Sequence, residues 1–459
     1  MRRRARAARS TPAMRLRASA PPAVAIALVI AAVFLPRAED PARPPHPVPV
    51  SRTAFACPAG SSIATGQVIP PASIRAIEIP GGRHVLALEA GDRWRRFKAS
   101  RTVVVDEVGR GAGAAGFFSR LASTKDGGGL MVGSCPATVD ESWFLGLGSG
   151  AKHESRLELT NVSDAVAVAD VSLWGTEGAI SAVGATGVVV QPRTTRSIDV
   201  GDLASGEPEL AVRVVRRRGA FAVSAFDGSR RVFSGSEAVP STSAPHRDQI
   251  ISGLPAKVES RTLVITNTST ATSRVAVEVI GKKGPFSPRG LDAIRAPAGR
   301  VTLMDLPGGV GSDGLALHLT SERPIAAVAR IGSGKSDYAV AVAARRLDGP
   351  AIVPVDLGGG IGRPRLTITA PHSAASVQMT GYDASMKPLR SQTFRIRGET
   401  TTTLKISDVS DSERLAYVVV RAKGEIMGAA RFTKDELIAS IPLEAAPVSV
   451  LGPDVQLIN

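Results

Sequence analysis

A six-residue segment rich in aliphatic side chains, Leu210-Ala-Val-Arg-Val-Val215, returns as Leu315-Ala-Leu-His-Leu-Thr320 and as Leu415-Ala-Tyr-Val-Val-Val420. The three copies start 105 and 100 residues apart. A second segment, Leu157-Glu-Leu-Thr-Asn161, recurs 106 residues later as Leu263-Val-Ile-Thr-Asn267 and, more loosely, after a further 103 residues. Self-similarity at a nearly fixed period indicates that one structural unit is repeated in tandem.

Each repeat contains about seven short runs of alternating apolar and polar residues, separated by Gly, Pro, Asn and Asp. Alternation with period two predicts strands that bury one face, and this number of strands per repeat predicts a sandwich of two sheets. The Cys–Trp–Cys core of antibody domains is absent. The one candidate helix lies around Phe117 to Ala122. We therefore expect an all-β protein of tandem immunoglobulin-like or fibronectin-like β-sandwich repeats at residues 143–248, 249–350 and 351–459.

Residues 55–142 match the repeat poorly and predict a smaller β module. The two cysteines of the chain, Cys57 and Cys135, bracket this module. In an exported chain, an even number of cysteines favours a disulfide. We predict that Cys57 and Cys135 pair, and two free thiols are the alternative.

The N-terminal sequence has the form of an export signal. Seven Arg precede an apolar run whose uninterrupted part, residues 23–35, is 13 residues long. A basic flank before an apolar segment stays in the cytoplasm and places the following chain outside. We expect a basic cytoplasmic tail at 1–19, a signal-anchor helix at 20–36 and a stiff Pro-rich linker at 37–54. This arrangement predicts a single-pass membrane protein; a cleaved signal, giving a secreted protein, is the alternative.

The formal net charge is +15, from 56 Lys and Arg against 41 Asp and Glu. Residues 1–44 contribute +7, so the remaining 415 residues carry +8. A nucleic-acid-binding surface concentrates positive charge on one element or motif, whereas the basic residues here are spread along the chain. We expect no nucleic-acid partner.

Sequence motifs that carry chemistry are weak in this chain. Residues 329–336, Ala-Arg-Ile-Gly-Ser-Gly-Lys-Ser, fit a relaxed phosphate loop, but a surface loop that varies between repeats is the simpler interpretation. The six His are never at metal-ligand spacing, and we interpret Asn161 and Asn267, each in an N-x-S pattern, as turn residues. We expect no enzyme, no cofactor and no metal. A Ser-His-Asp or paired-carboxylate site assembled by folding stays open as the alternative.

One dense mixture of positive charge with aromatic residues runs from Arg93 to Arg101. Such a surface can hold a polyanion or stack a sugar, and we predict contact with an anionic cell-wall polymer or glycan. The alternative is a basic strand face with Trp94 and Phe97 in the core. The candidate contact residues are Arg93, Trp94, Arg95, Arg96, Lys98 and Arg101.

The export segment, the Cys57-Pro58 pair, the spacing from Cys135-Pro136 to Trp143 and the L-x-L-T-N blocks together resemble the DUF5719 family over most of residues 55–440. The resemblance implies a secreted or membrane-anchored actinobacterial protein of the cell envelope, with no assigned activity and no catalytic residues to carry over. We therefore expect a non-enzymatic extracytoplasmic protein that scaffolds or binds envelope components. Its expected partners are the membrane through the anchor, an anionic cell-wall polymer and other envelope proteins. An accessory protein or enzyme of envelope polysaccharide metabolism with a cryptic site is the alternative.

Overall fold

The computed structural model divides into two compact units, Met1–Val48 with Leu451–Asn459, and Pro49–Val450. Of the first, only Pro47, Val48 and Leu451 are described, so the predicted tail at 1–19, the anchor at 20–36 and most of the linker lie outside the described residues. No helix in the described part of the chain is long and apolar enough to cross a membrane. The structure describes residues 47–68, 73–88, 94–108, 113–122, 128–151, 153–230, 234–255, 258–306, 314–333 and 337–451.

The described chain is nearly all β, as the sequence predicts, and its strands fall into four consecutive groups that we call the first to fourth modules. Two three-residue strands, β1 (Pro47–Pro49) and β35 (Ser449–Leu451), flank them and pair with each other. The first module contains β2 (Arg52–Cys57), β3 (Ser61–Gln67), β4 (Ser73–Ile79), β5 (Arg83–Leu88), β6 (Arg95–Ala99), β7 (Thr102–Val108), β8 (Ala114–Leu121) and β9 (Leu130–Ser134).

The second module holds the single α-helix of the described chain, one turn long, beside nine strands. These elements are β10 (Glu141–Leu147), β11 (His153–Asn161), β12 (Ala167–Trp174), β13 (Ala179–Ile180), β14 (Val188–Val190), β15 (Thr195–Asp199), α1 (Val200–Leu203), β16 (Leu210–Arg218), β17 (Phe221–Arg230) and β18 (Ser234–Val239).

The third and fourth modules have eight strands each, and the fourth adds a 3-10 turn at Ile406–Asp408. The third contains β19 (His246–Leu254), β20 (Ser260–Asn267), β21 (Ser273–Gly281), β22 (Gly284–Phe286), β23 (Ile294–Ala296), β24 (Arg300–Asp305), β25 (Leu315–Ser333) and β26 (Asp337–Val342). The fourth contains β27 (Ala351–Pro354), β28 (Arg365–Ala370), β29 (Ala375–Asp383), β30 (Pro388–Ile396), β31 (Thr400–Lys405), β32 (Leu415–Lys423), β33 (Met427–Lys434) and β34 (Leu437–Pro442).

The same two antiparallel strand orders recur in all four modules. In the third module the long β25 bends from one sheet into the other, so that its first half pairs with β19 and β21 and its second half with β20 and β26. In the first to fourth modules, in turn, the first of these sheets has the order β2-β7-β4-β5, β10-β16-β12-β13, β19-β25-β21-β22 and β27-β32-β29-β30. The second sheet has, in the same sequence of modules, the order β6-β3-β8-β9, β15-β11-β17-β18, β24-β20-β25-β26 and β31-β28-β33-β34.

The first module therefore has the strand order of the repeats, although its sequence matches them poorly. Its β3, Ser61–Gln67, stands where the other modules carry the L-x-L-T-N segment or its looser copy, and it is buried at every position but Ser62 without that motif. A pleated strand needs apolar residues on one face rather than one particular sequence, so the topology survives loss of the motif. The candidate helix around Phe117 is wrong: these residues belong to β8, which pairs with both β3 and β9.

The turn role of the two asparagines is confirmed. Asn161 Nδ2 donates to the carbonyls of Ala165 (2.7 Å) and Val190 (3.0 Å), while its Oδ1 accepts from the Ser163 amide (2.9 Å). Asn267 makes the same set of hydrogen bonds in the third module. Each amide side chain closes its turn and ties it to a neighbouring strand.

Neighbouring modules share core residues, and the fourth packs against the first, so the four modules form a closed ring. At its centre the last strands β9, β18, β26 and β34 contact each other in a cycle. The aromatic rings of Phe118 and Phe226 join the first and second modules with centroids 6.2 Å apart. Trp94 and Tyr417 join the first and fourth, stacked at 5.1 Å.

Candidate functional site

The predicted ligand surface at residues 93–101 is divided between core and solvent. Trp94 is only 4% exposed, stacks on Tyr417 of the fourth module and lies 6.4 Å from the Phe117 ring. It cannot meet an external ligand, so the expected aromatic contact is wrong and the alternative placement of Trp94 in the core is correct. Arg93 lies outside the described residues.

The cations of this surface lie on the edge strand β6 and just after it. Arg95, Arg96 and Lys98 are exposed, and Arg96 forms an ion pair with Asp356 of the fourth module. Arg101 donates to the carbonyl of Pro80 at 3.0 Å. One of the predicted contacts therefore holds two modules together, and Arg95 and Lys98 are the other exposed cations of β6.

A disulfide links Cys57, the last residue of β2, to Cys135, just after β9, with Cα atoms 4.7 Å apart. Because β2 and β9 belong to different sheets of the first module, the bond ties the two sheets together. Both cysteines are buried, and the described chain has no free thiol.

A cleft of about 500 Å³ lies between the first and second modules. Its floor is formed by three residues that lie side by side on adjacent strands of the second module. In the register of the sheet, Arg156 on β11 lies opposite Asp199 of β15 on one side and opposite Phe226 of β17 on the other. Because side chains alternate along a strand, Glu154 shares the face of Arg156. The first module contributes Arg120 from β8.

Two guanidinium groups lie over one aromatic ring in this cleft. The Cζ atoms of Arg120 and Arg156 are 5.6 and 5.5 Å from the centroid of Phe226. Cations at this distance are attracted to the ring face, which fixes the positions of both side chains. Arg156 also pairs with Glu158 at 3.2 Å, and Arg120 contacts the sulfur of Met131 at 3.3 Å.

Behind this floor lies a buried polar network centred on the Asp227 carboxylate. It accepts hydrogen bonds from Ser155, from Tyr338 of the third module and from His153 Nε2 at 3.0 Å. His153 Nδ1 lies 3.1 Å from the carbonyl of Pro208, so both ring nitrogens face acceptors. Burial opposes a charge on His153, but the charge and hydrogen bond of Asp227 outweigh burial and raise the pKa of His153, which favours an ion pair between the two side chains.

The network contains Ser, His and Asp but lacks the order of a catalytic triad. In a triad the histidine lies between the nucleophile and the acid and takes the proton of the nucleophile. Here Ser155 donates directly to Asp227 and accepts from the Gly148 amide at 2.7 Å. The polar side chains of the network are hydrogen-bonded to one another and to the backbone. The arrangement therefore stabilises the contact between the second and third modules.

A second buried ion pair crosses the same contact. Arg330 of β25 donates to both Glu209 oxygens, at 2.8 and 3.3 Å, and to the carbonyl of Gly146 at 2.8 Å. Burial disfavours the charge on Arg330, but the Glu209 carboxylate more than compensates and raises the pKa of the guanidinium. Burial also raises the pKa of Glu209, against the opposing effect of Arg330, and the pair is enclosed between two modules.

Two further acids lie at the centre of the ring. Asp337, at the start of β26, accepts from the amides of Leu130 in the first module (3.0 Å) and Ile438 in the fourth (2.9 Å). Glycine is required at position 235, because a Cβ there would lie 2.6 Å from Asp337 Oδ1. Burial raises the pKa of Asp337 to about 7, and burial with repulsion from Asp337 raises the pKa of Glu237 well above its usual range.

These raised pKa values predict that the protein loses stability as pH rises from about 5 to about 8. An unfolded Asp has a pKa of about 3.9, so between that value and 7 the folded state holds a proton that the unfolded state lacks. Asp337 alone should then lower the free energy of unfolding by about 2 kcal/mol between pH 5 and pH 7. The raised pKa values of Glu237 and His153 act in the same direction.

Urea unfolding curves recorded at several pH values measure this slope. Asp337→Asn resembles the protonated acid and should flatten the curve, whereas the exposed Asp292→Asn should leave it unchanged. A free energy of unfolding that rises from pH 5 to pH 7 would contradict the placement of these acids.

The phosphate-loop pattern lacks the structural setting that its chemistry needs. A phosphate loop connects a strand to a helix, whereas Ala329 to Ser333 continue β25 and the following element is the strand β26. Gly334, Lys335 and Ser336 lie outside the described residues. Across the described ranges, no three His, Cys, Asp or Glu side chains are grouped so that they could hold a metal ion.

A family model described as a family of unknown function, DUF5719, matches residues 96–407. The match runs from the first module into the fourth and includes the cleft, the buried network and the acids at the centre of the ring. No curated protein matches the chain.

Proposed function

The chain belongs to the DUF5719 family, and from that premise we propose that it is a non-enzymatic protein of the cell envelope that binds or scaffolds other envelope components. Its four modules act as immunoglobulin-like or fibronectin-like sandwiches joined in a ring. An N-terminal signal anchor holds the ring on the outer side of the membrane, or the ring is secreted after cleavage.

The disulfide carries the extracytoplasmic part of this proposal. Structural disulfides form and persist in oxidising compartments outside the cytoplasm, and the Cys57–Cys135 bond joins two sheets of the first module. The basic and apolar N-terminal sequence supports the same location.

The buried network supports binding rather than catalysis. Asp227 is occupied by three donors, and Ser155 is hydrogen-bonded on both sides, so neither is poised to transfer a proton to a substrate. The charged groups between the second and third modules hold the ring together and leave its surfaces for partners.

The exposed cations of β6 support an anionic wall polymer as one partner. We expect the purified chain to be retained on isolated cell walls in 0.1 M salt and released near 1 M, because the screening length falls from about 10 to about 3 Å. Arg95→Ala with Lys98→Ala should weaken this retention severalfold while leaving thermal unfolding unchanged.

The control is Arg196→Ala with Lys405→Ala, which removes two cations from β15 and β31, the strands equivalent to β6. Retention that survives 1 M salt, or that falls equally in both double variants, would remove β6 as the polymer-binding strand. Co-purification of envelope proteins with the ring would then become the test of the scaffolding role.

A further inference from the structure

The cleft between the first and second modules presents hydrogen-bond donors and acceptors together. Arg120 and Arg156 offer guanidinium donors, and Glu154 and Asp199 offer carboxylate acceptors. Ser155 and Asp227 also line it, but they alternate with Glu154, Arg156 and Phe226 along their strands and direct their side chains into the buried network. The described side chains that face the cleft thus bear two positive and two negative charges.

This balance selects against a strongly charged ligand. A polyanion would meet Glu154 and Asp199, and a polycation would meet the two arginines, whose positions over Phe226 are fixed by the ring. A neutral ligand rich in hydroxyl groups both donates and accepts, so it can satisfy both sets of side chains.

The backbone around the cleft argues against an extended peptide. Peptides often bind by adding a strand to a free sheet edge. Here β11 is paired on both sides with β15 and β17, and β8 is paired on both sides with β3 and β9. The floor and the facing wall therefore offer side chains, not an open backbone ladder.

We propose that this cleft is a binding site for a neutral oligosaccharide. The sugar hydroxyls bind the carboxylates of Glu154 and Asp199 and the guanidinium groups of Arg120 and Arg156. A volume of about 500 Å³ suits a ligand of a few sugar units. The proposal rests on the envelope role proposed above. It adds a neutral ligand, which the cations of β6 would not bind preferentially.

Titration calorimetry of the full chain with neutral pentasaccharides tests this site. The panel contains β-1,4-glucan, α-1,4-glucan, β-1,4-galactan and β-1,4-N-acetylglucosamine oligomers, beside an oligogalacturonate as the anionic probe. We expect at least one neutral oligomer to bind, with an affinity that changes less than about twofold between 0.1 and 1 M salt. The oligogalacturonate should bind more weakly.

Glu154→Gln and Asp199→Asn should each weaken that binding by about tenfold or more, because each loses a charge-assisted hydrogen bond. Both carboxylates are exposed, so the variants should fold like the parent chain. Asp292→Asn in the third module is the matched control and should bind normally.

The site is overturned if no neutral oligomer binds, if only the oligogalacturonate binds, or if both cleft variants bind like the parent chain. None of these results affects retention on cell walls through β6, which the Arg95 and Lys98 variants test separately. Cleavage of a bound neutral oligomer would support the site and overturn the non-enzymatic part of the proposed function.

Discussion

Arg330→Ala should lower the free energy of unfolding by about 3–5 kcal/mol, because it leaves Glu209 as an unpaired charge between two modules. Arg330 is the only guanidinium that donates to Glu209 among the described residues, and it does so through two hydrogen bonds. The Gly146 carbonyl would lose a donor in the same variant. Urea unfolding followed by tryptophan fluorescence measures the loss, since Trp143 and Trp174 stack in the core of the second module.

Two further variants separate the buried charge from simple loss of packing. Arg330→Met combined with Glu209→Leu removes both charges and should recover most of the lost stability, because replacing a buried pair by apolar residues is often close to neutral. Arg431→Ala, at the equivalent register position of the fourth module, removes a guanidinium from a partly buried site and should cost about 1 kcal/mol or less. If the double variant is no more stable than Arg330→Ala, the unpaired charge is not the cause.

The strands were predictable because their signal is local. The three copies of the segment that begins at Leu210 became β16, the first half of β25 and β32, which hold the same position in their sheets. Alternation of apolar residues is a property of a few consecutive positions, so it shows in one sequence without other information. The strand order of the first module escaped detection because β3 lacks the motif and is buried at every position but Ser62, so it shows no alternation.

The ring was not predictable because single residues far apart in sequence close it. Trp94 stands among cations and suggests a surface, yet Tyr417 of the fourth module covers it. Glu237 and Asp337 are charged residues on strands, and the sequence alone predicts that such residues face solvent. Both are buried, because other modules pack against their strands. Period-two patterns describe one sheet and contain no information on which sheet lies against it.

The cleft shows the same limit for function. Arg120 and Arg156 belong to different modules, and neither lies in a dense run of basic residues in the sequence. Their common partner Phe226 lies on a third strand, so only the folded chain brings the three side chains together. A search for dense runs of charge finds β6 and misses this site.

Removing the disulfide should be the second large perturbation. Cys57 and Cys135 are 78 residues apart, and closing a loop of that length restricts the unfolded chain enough to contribute about 4 kcal/mol in the chain-entropy account. Cys57→Ala with Cys135→Ala should lose about that much stability without a change of fold, because both side chains are replaced by a smaller apolar one. The parent chain in a strong reductant should match the variant, which separates loss of the bond from loss of the sulfur atoms.

The loss of stability that follows removal of the disulfide should at first be confined to the first module. The bond joins the ends of β2 and β9, so amide hydrogen exchange should accelerate in these strands while β20 and β28 keep their protection. Because β9 also belongs to the central cycle of last strands, opening of the first module should next expose the hydrogen bond from the Leu130 amide to the Asp337 carboxylate. A non-reduced digest of chain isolated from envelopes with its thiols blocked should contain the linked peptides. Two alkylatable thiols in the freshly isolated folded protein would contradict both the bond and the oxidising compartment that it implies.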